Sequence, residues 1–269
     1  MKFMLQVLLA LGLLGGSAHA EELPIFDAHV HYSHDAVSFV PPSEVVKILR
    51  DAGVRKALVS SSDDRGTQLL KAAAPDIIVP ALRPYKRRGA IGTWMHDPAV
   101  IGYLKEKLAQ FEYEAIGEFH AFGDDIQTEV IQTMIGMARE RNLLLHHHGD
   151  REALDQILAT WPEARVLWAH SGFAPPNEVA EVLRAHPRVW ADLAYRSDMA
   201  VNSGVDADWR KVFEEFPDRF MVGTDTFAPE RWYYVGRHAE FSRNWLATLP
   251  EDIARKIAFE NAEAMLAAK

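Results

Sequence analysis

Two histidines that alternate with small or apolar residues end the first strand-like run of the chain. The motif is Asp27-Ala28-His29-Val30-His31, at the end of the apolar run 23–30. Because successive side chains of a strand point to opposite faces, His29 and His31 share one face with Asp27. Neutral imidazole nitrogen suits a divalent zinc, iron or nickel ion. The pair therefore predicts part of a metal site at the end of a strand.

Later apolar runs also end in histidine or in an acidic residue. These residues are Glu118, His120, His146, His147, His148, His170 and Asp225. The starts of the same runs carry no histidine. The carboxyl ends of the strands in a closed parallel barrel meet at one face, and active sites lie there. We therefore expect these side chains to converge.

Short apolar runs alternate with longer amphipathic segments along the chain. We predict strands at 25–30, 54–60, 77–82, 113–119, 143–148, 164–169, 188–193 and 219–223. Helices are predicted at 43–52, 65–74, 98–111, 126–141, 151–160, 176–186, 206–216 and 230–246, with a terminal helical segment at 251–267. Eight strand-then-helix units indicate an α/β fold, a single (β/α)8 TIM barrel with an extra C-terminal helical segment. An open doubly wound sheet is disfavoured, because no glycine-rich phosphate loop follows the first strand.

The first twenty residues are typical of a cleavable secretory signal peptide. Lys2 precedes the apolar stretch 3–14, and the small-x-small sequence 18–20 resembles a cleavage site. The apolar stretch is too short for a stable membrane span, although an uncleaved N-terminal anchor is the alternative. We predict that residues 1–20 are the leader and that residues 21–269 are the barrel of a periplasmic or secreted protein. The remaining chain matches the size of one barrel of about 250 residues.

Charge and composition exclude several kinds of partner. The formal net charge is −9 at pH 7, and the predicted leader removes one positive charge, Lys2. An acidic chain argues against nucleic acid or an anionic membrane as a partner. The chain has no cysteine, so no disulfide is possible. We expect a small-molecule substrate and no stable membrane insertion, and the sequence leaves the oligomeric state open, a homodimer included.

Four motifs resemble those of the amidohydrolase superfamily, in the branch that includes the amidohydrolase-related and TatD-like hydrolases. They are Phe26-Asp27-Ala28-His29-Val30-His31, Trp168-Ala169-His170-Ser171-Gly172-Phe173, Val222-Gly223-Thr224-Asp225 and Glu260-Asn261-Ala262. They extend over nearly all of the predicted barrel. Together they are specific for the superfamily and much less specific for a substrate.

The resemblance implies a divalent metal, zinc first and manganese or iron as alternatives, in one or two ions. It implies that His29, His31 and a fifth-strand histidine hold the metal, with Asp225 close to it. His170 would be either a ligand of a second metal or a catalytic acid or base.

His146 and His148 of the fifth strand share a face, and either could be the metal ligand. The sequence His148-Gly149-Asp150 is similar to the strand-end pattern of the family, so His148 is favoured. His146 would then lie one layer deeper. We expect His146 and Asp27 to support the ligands or to serve as alternate ligands.

Glu118 leaves two interpretations open. Binuclear members of the family bridge two metals with a carboxylated lysine or a glutamate on the fourth strand, and residues 113–120 contain no lysine. Ile116-Gly117-Glu118 is similar to the glutamate form. The alternative is that Glu118 only hydrogen-bonds a metal-bound water or a ligand histidine, as nearby carboxylates commonly do.

The predicted site suits hydrolysis. A metal lowers the pKa of bound water towards about 7. Asp225 could accept the proton of that water and pass it to the leaving group. His170 could stabilise a developing oxyanion. We expect an exported metal-dependent hydrolase of a C–N or C–O bond in an amide, lactone or ester. The alternatives are a metal-dependent decarboxylase of the same superfamily and, below that, a non-catalytic metal- or ligand-binding barrel.

Two arginines follow predicted strands and could select an anionic substrate. Arg83 and Tyr85 follow the third strand, and Arg196 follows the seventh. A guanidinium group pairs well with a carboxylate or a phosphate. We expect Arg196, with Arg83 and Tyr85, to bind the substrate; a surface ion pair without function is the alternative.

Overall fold

The structure is a computed structural model that describes residues 22–201 and 204–268. The predicted leader, residues 1–20, lies outside the described residues, so its assignment stays a prediction. Among the helices in the described ranges, none has the length and hydropathy needed to span a bilayer.

Eight parallel strands form one sheet in which spatial neighbours are also consecutive strand–helix units. They are β1 (Ile25–His31), β2 (Val54–Ser60), β3 (Ile78–Leu82), β4 (Ala115–His120), β5 (Leu144–His148), β6 (Val166–Trp168), β7 (Val189–Asp192) and β10 (Phe220–Met221). Two backbone hydrogen bonds, from Ala28 N to Val222 O (2.9 Å) and from Asp225 N to His29 O (2.7 Å), join the chain around the last strand to the first. The predicted (β/α)8 barrel is confirmed.

Helices cover the outside of this sheet. They are α1 (His34–Phe39), α2 (Pro42–Asp51), α3 (Arg65–Ala73), α4 (Ala99–Gln110), α5 (Glu129–Glu140), α6 (Arg151–Thr160), α7 (Pro176–Ala185), α8 (Ala207–Glu215), α9 (Val235–Leu246), α10 (Glu251–Arg255) and α11 (Asn261–Ala267). Each long helix turns an apolar stripe inward, as α5 does with Val130, Met134 and Ala138 at helical spacing. A small antiparallel pair, β8 (Ala200–Val201) and β9 (Gly204–Val205), precedes α8.

The C-terminal segment closes one end of the barrel. The segment predicted at 251–267 is α10, one π-helical turn at Lys256–Glu260, and α11. Met265 of α11 is buried with Phe26, Leu144 and other inward residues near the strand starts. The Arg165 guanidinium fixes this helix by donating to Met265 O at 3.0 Å. Because apolar side chains fill this end, the polar strand ends are left to form the site at the opposite face.

The chain differs from the predicted boundaries at the eighth unit. α9 begins at Val235 rather than at residue 230, because Pro229–Tyr234 forms a separate 3₁₀ turn. The short helix α1 was not predicted. Both segments lie after strand ends, where loops are free to fold over the barrel mouth.

Asp64, the residue before α3, has a buried carboxyl group with a perturbed pKa. Its Oδ2 accepts hydrogen bonds from Tyr113 OH (2.6 Å) and Gln68 Nε2 (3.1 Å), and its Oδ1 has no partner among the described residues. Burial raises the pKa of Asp64 to about 6, from 3.8. The folded state therefore holds this proton more tightly than the unfolded state, so stability falls as the pH rises from about 4 to about 6.

The Asp64→Asn variant should therefore be more stable than the native protein at pH 7.5, by on the order of 1–3 kcal/mol. Asparagine also tolerates the left-handed backbone of this residue, φ 64°. At pH 4 the gain should vanish, because the native carboxyl group is then protonated. Urea unfolding at both pH values measures this difference, with the exposed Asp76→Asn as control. An equal effect at the two pH values would contradict the assignment.

Candidate active site

The two histidines of β1 and an aspartate after β10 converge on one buried point. His29 Nε2 and His31 Nε2 lie 3.1 Å apart. Asp225 Oδ1 lies 3.4 Å from His31 Nε2 and 3.8 Å from His29 Nε2. Thr226 fixes this loop against β1, since its Oγ1 accepts from His31 N and donates to His31 O. Strand alternation and these Thr226 hydrogen bonds place three side chains that could hold a metal on one side.

The hydrogen bonds made by the Nδ1 atoms of His29 and His31 determine which ring nitrogen faces the site. His29 Nδ1 lies 3.1 Å from Asp192 Oδ2, and His31 Nδ1 lies 3.2 Å from the Ser60 carbonyl oxygen. Asp192 Oδ2 and the Ser60 carbonyl oxygen only accept hydrogen bonds, so a proton on each Nδ1 satisfies them and each Nε2 faces the site. Two Nε2 atoms 3.1 Å apart share either a proton, which makes one ring cationic, or a metal ion. The donor set therefore fits a divalent metal.

The carboxylates around His29 also favour a bound cation. Burial by itself lowers the pKa of His29, but the charges of Asp192, Glu118 and Asp225 outweigh it and hold that pKa well above its ordinary value. A buried pocket with this many negative oxygens attracts positive charge, whether as a metal ion or as a proton.

Glu118, near the end of β4, lies next to the two histidines of β1. Its Oε2 accepts from Arg83 Nη2 at 2.6 Å, and its Oε1 lies 2.7 Å from His148 Nδ1. His31 Nε2 is 3.1 Å from Oε2. Burial opposes ionisation of Glu118, but His29 and its other cationic and hydrogen-bonding neighbours hold its pKa well below the usual range. Glu118 is thus an ionised carboxylate shared between an arginine and the histidine cluster.

His170 is presented by a left-handed turn after β6. The φ angles of His170, Ser171, Gly172 and Phe173 are 55°, 51°, 63° and 52°. Such backbone is costly for residues other than glycine and concentrates at functional sites. His170 Nδ1 donates to Ala194 O at 2.9 Å, so Nε2 faces the site, 3.6 Å from Glu118 Oε1.

The charge state of His170 depends on its neighbours. Burial lowers the pKa of His170, but the Glu118 carboxylate outweighs it and raises that pKa. The protonated ring is therefore favoured, and its Nε2–H is directed at the site.

Asp192, the last residue of β7, is a site residue that the sequence interpretation missed. Its Oδ2 contacts both His29 Nδ1 (3.1 Å) and His146 Nε2 (3.2 Å). Its Oδ1 accepts from the backbone N–H groups of His170 and Ala194, each at 3.0 Å. Burial opposes ionisation, but His29 and these hydrogen bonds hold the pKa of Asp192 well below its ordinary value. The available signal was an acidic residue ending an otherwise apolar strand.

The fifth-strand histidines lie at two depths. His148 contacts Glu118 near the mouth, with its ring stacked on His120 at 3.8 Å between centroids. His146 lies deeper and contacts Asp192, and burial lowers its pKa to about 4. His147 points away and hydrogen-bonds Ala121 O. Which of His146 and His148 would ligate a metal stays a prediction.

The Asp27 carboxyl group connects β1 to the loop after β10 through hydrogen bonds. It accepts hydrogen bonds from Thr224 N (3.0 Å), Thr224 Oγ1 (2.6 Å) and His29 N (3.2 Å). Burial raises the pKa of Asp27 to about 6 despite these contacts. Its oxygens are thus engaged within the protein, beside the site rather than in it.

Arg196 does not present a free guanidinium to a substrate. Its N–H groups bond to both Asp198 oxygens and to the carbonyl oxygens of His170 and Ala174. Its guanidinium carbon lies 4.6 Å from the centre of the Trp209 ring. These contacts do not support the predicted substrate role, and they assign Arg196 to holding the His170 turn.

Arg83 and Tyr85 both lie at the site. Arg83 donates to Glu118 through Nη2 and to the Glu118 carbonyl through Nε. Its guanidinium carbon lies 4.6 Å from the centre of the Tyr85 ring. Tyr85 OH accepts from His120 N and lies 2.8 Å from His120 Nδ1. Burial raises the pKa of Tyr85, so its hydroxyl stays neutral.

Four overlapping groups of side chains in the described residues could hold a metal ion. They are His29–His31–Asp225, His29–Glu118–His170, His29–His146–Asp192 and Glu118–His120–His148. Nitrogen and carboxylate donors suit zinc, manganese or iron. The overlap at His29 and Glu118 means that one cluster, rather than several separate sites, is available.

Comparison with known proteins gives one family and a shared fold. A family model described as amidohydrolase matches residues 113–267, more than half of the chain. An uncharacterized TIM-barrel protein of Bordetella bronchiseptica superposes with a TM-score of 0.65 at 13% identity, covering 91% of this chain and 99% of that one. A putative 2-pyrone-4,6-dicarboxylic acid hydrolase of Pseudomonas putida gives 0.62 at 13% identity, covering 91% and 98%. A TatD family hydrolase of Entamoeba histolytica gives 0.53 at 9%, covering 90% and 98%. No curated protein matches the chain.

Proposed function

This chain belongs to the amidohydrolase family, and on that premise we propose that it is a metal-dependent hydrolase of a C–N or C–O bond. The resemblance predicted from its motifs is thereby confirmed at the level of the family. The substrate class we propose is a small amide, lactone or ester with an anionic group. The structural neighbours described as hydrolases are consistent with this reaction type.

The single observation that carries the proposal is the convergence of His29, His31 and Asp225, with the two histidine Nε2 atoms 3.1 Å apart. We assign these three residues to one divalent ion, zinc in the first instance. Both oxygens of Glu118 already have N–H partners, Arg83 and His148, which favours the interpretation that Glu118 supports the centre rather than bridging two ions. When bound, the metal supplies Lewis acidity that activates water and polarises a carbonyl group.

The residues of the chain then divide the remaining chemistry. Asp225, with a side chain that is 10% exposed, accepts the proton of the attacking water and delivers it to the leaving group. The His170 Nε2–H stabilises the developing oxyanion. Two Arg83 donors hold Glu118, and we assign the rest of its guanidinium to the anionic group of the substrate. Export to the periplasm or beyond, based on residues 1–20, is part of the same proposal.

Decarboxylation of an aromatic acid is the second candidate function. A centre with one ion and a neighbouring guanidinium also fits a substrate carboxylate. Release of CO₂ from an aromatic acid, with no hydrolysis of amides, lactones or esters, would favour this reaction.

Metal analysis of the purified mature protein tests the proposal. We expect one equivalent of divalent metal per chain, and its loss in the His29→Ala variant. Asp192→Asn should keep the ligands but weaken metal affinity about 10- to 100-fold, since Asp192 orients His29. The exposed His96→Ala is the control and should retain the metal. Two equivalents per chain would instead make Glu118 a bridge, and no metal even after reconstitution would overturn the proposal.

A further inference from the structure

A cavity lies beside the candidate active site, between the ends of β7 and β10 and the helix α9. Its volume is about 460 Å³, in the range of cavities that hold small organic ligands. We call it the α9 cavity; its lining includes Leu193, Val222, Arg231, Arg237, Phe241 and Trp245. This lining includes none of the residues assigned above to the metal.

The charge of the α9 cavity is opposite to that of the protein. Its described lining has three arginines and one histidine but no carboxylate, in a chain of net charge −9. Asp198 neutralises Arg196. Neither Arg231 nor Arg237 forms an ion pair in the part of the chain that the structure describes. Two guanidinium groups whose positive charge is not paired with a carboxylate of the described residues therefore lie at this cavity.

The inner wall of the α9 cavity is apolar. Leu193, Val222 and Trp245 are buried there, and Phe241 is a large hydrophobic side chain that is 44% exposed. Trp245 is 1% exposed, and its Nε1–H has no acceptor within the described residues. A buried donor without a partner costs free energy that a bound acceptor could recover. An apolar wall with a cationic rim fits a ligand that has an apolar body and an anionic group.

Arg231 connects the α9 cavity to the candidate active site. Its Nε donates to Asp225 O at 2.6 Å, and its Nη2 donates to Thr224 O at 2.7 Å. Its Nη1 donates to Tyr195 OH at 2.9 Å, and the Tyr195 ring lies 6.3 Å from the ring of His170. The loops after the seventh and eighth strands are also where TIM barrels frequently bind phosphate groups.

We propose that the α9 cavity is a second ligand site, which takes a small amphipathic anion. The carboxylate or phosphate of the ligand binds Arg231 and Arg237, and its aromatic or alkyl body packs against Phe241 and Trp245. Arg231 then contacts both the ligand and the Asp225 carbonyl oxygen.

Titration with 1-anilinonaphthalene-8-sulfonate, an aromatic anion whose fluorescence rises in apolar surroundings, tests the proposal. We expect saturable binding at one site per chain, displaced by octanoate or phenyl phosphate. Arg237→Gln should weaken binding about tenfold, as expected for one lost charge-assisted hydrogen bond. Arg141→Gln, an exposed arginine on another face, should not change it.

The His29→Ala variant separates the two sites. It should bind the probe as the native protein does, because His29 does not line the α9 cavity. Circular dichroism confirms that each variant is folded. The proposal is overturned if binding is not saturable, if Arg237→Gln binds as tightly as the native protein, or if His29→Ala abolishes binding.

Discussion

The Asp225→Asn variant is expected to turn over substrate about 10²- to 10⁴-fold more slowly than the native protein at equal bound metal. The backbone of Asp225 is held by the hydrogen bond from Asp225 N to His29 O (2.7 Å), and the carboxylate Oδ1 lies 3.4 Å from His31 Nε2. Asparagine has nearly the same shape and tolerates the left-handed backbone at this residue, φ 50°. The substitution thus removes the proposed proton acceptor, and one charged oxygen of the proposed metal site, while preserving the turn, so turnover is compared at equal bound metal.

The measurement is kcat on a panel of lactones, esters, amides and aromatic carboxylic acids, with the metal content of each sample determined in parallel. Asp218→Asn is the matched control, because Asp218 precedes the same strand at the opposite end and its side chain is 68% exposed. The control should retain native activity. If Asp225→Asn with its full metal content is only a few-fold slower, Asp225 is not the proton acceptor.

The Gly172→Ala variant should lose about 2–5 kcal/mol of unfolding free energy, the largest stability effect that we expect at the site. Gly172 has φ +63°, and an added Cβ would lie 1.8 Å from Trp168 Cζ2. Trp168 is buried, and its Nε1 donates to Gly149 O at 2.9 Å, so the indole cannot move aside without breaking that bond. The left-handed backbone adds a cost of its own.

Chemical denaturation measures this loss, and Gly136→Ala is its control. Gly136 lies inside α5, and an added Cβ there meets nothing within 4 Å. Alanine at that position should stabilise the helix by about 0.5–1 kcal/mol. Because the Gly172 turn carries His170, the Gly172 variant should also lose activity. Native stability in Gly172→Ala would show that the turn adapts, contrary to the close contact with Trp168.

The family could be identified from the sequence because its evidence is local. His29 and His31 are two residues apart on one strand, and strand alternation alone places them on one face. The alternation of apolar runs with amphipathic helices likewise predicts the barrel, since each unit repeats the same short-range pattern. Boundaries were less accurate at Pro229–Tyr234, where the loop folds against the barrel mouth.

Side-chain contacts between residues far apart in the chain could not be predicted from such local patterns. Asp192 looked like the end of an apolar run, yet it contacts His29, 163 residues earlier in the chain. Arg196 looked available for a substrate, but its acceptors lie on the His170 turn and on Asp198. The sequence by itself thus determined the barrel, the family and the residue types that could hold a metal. Only the tertiary structure decided which acceptor each donor meets, because closure of the barrel brings together side chains whose separation in sequence carries no information about distance.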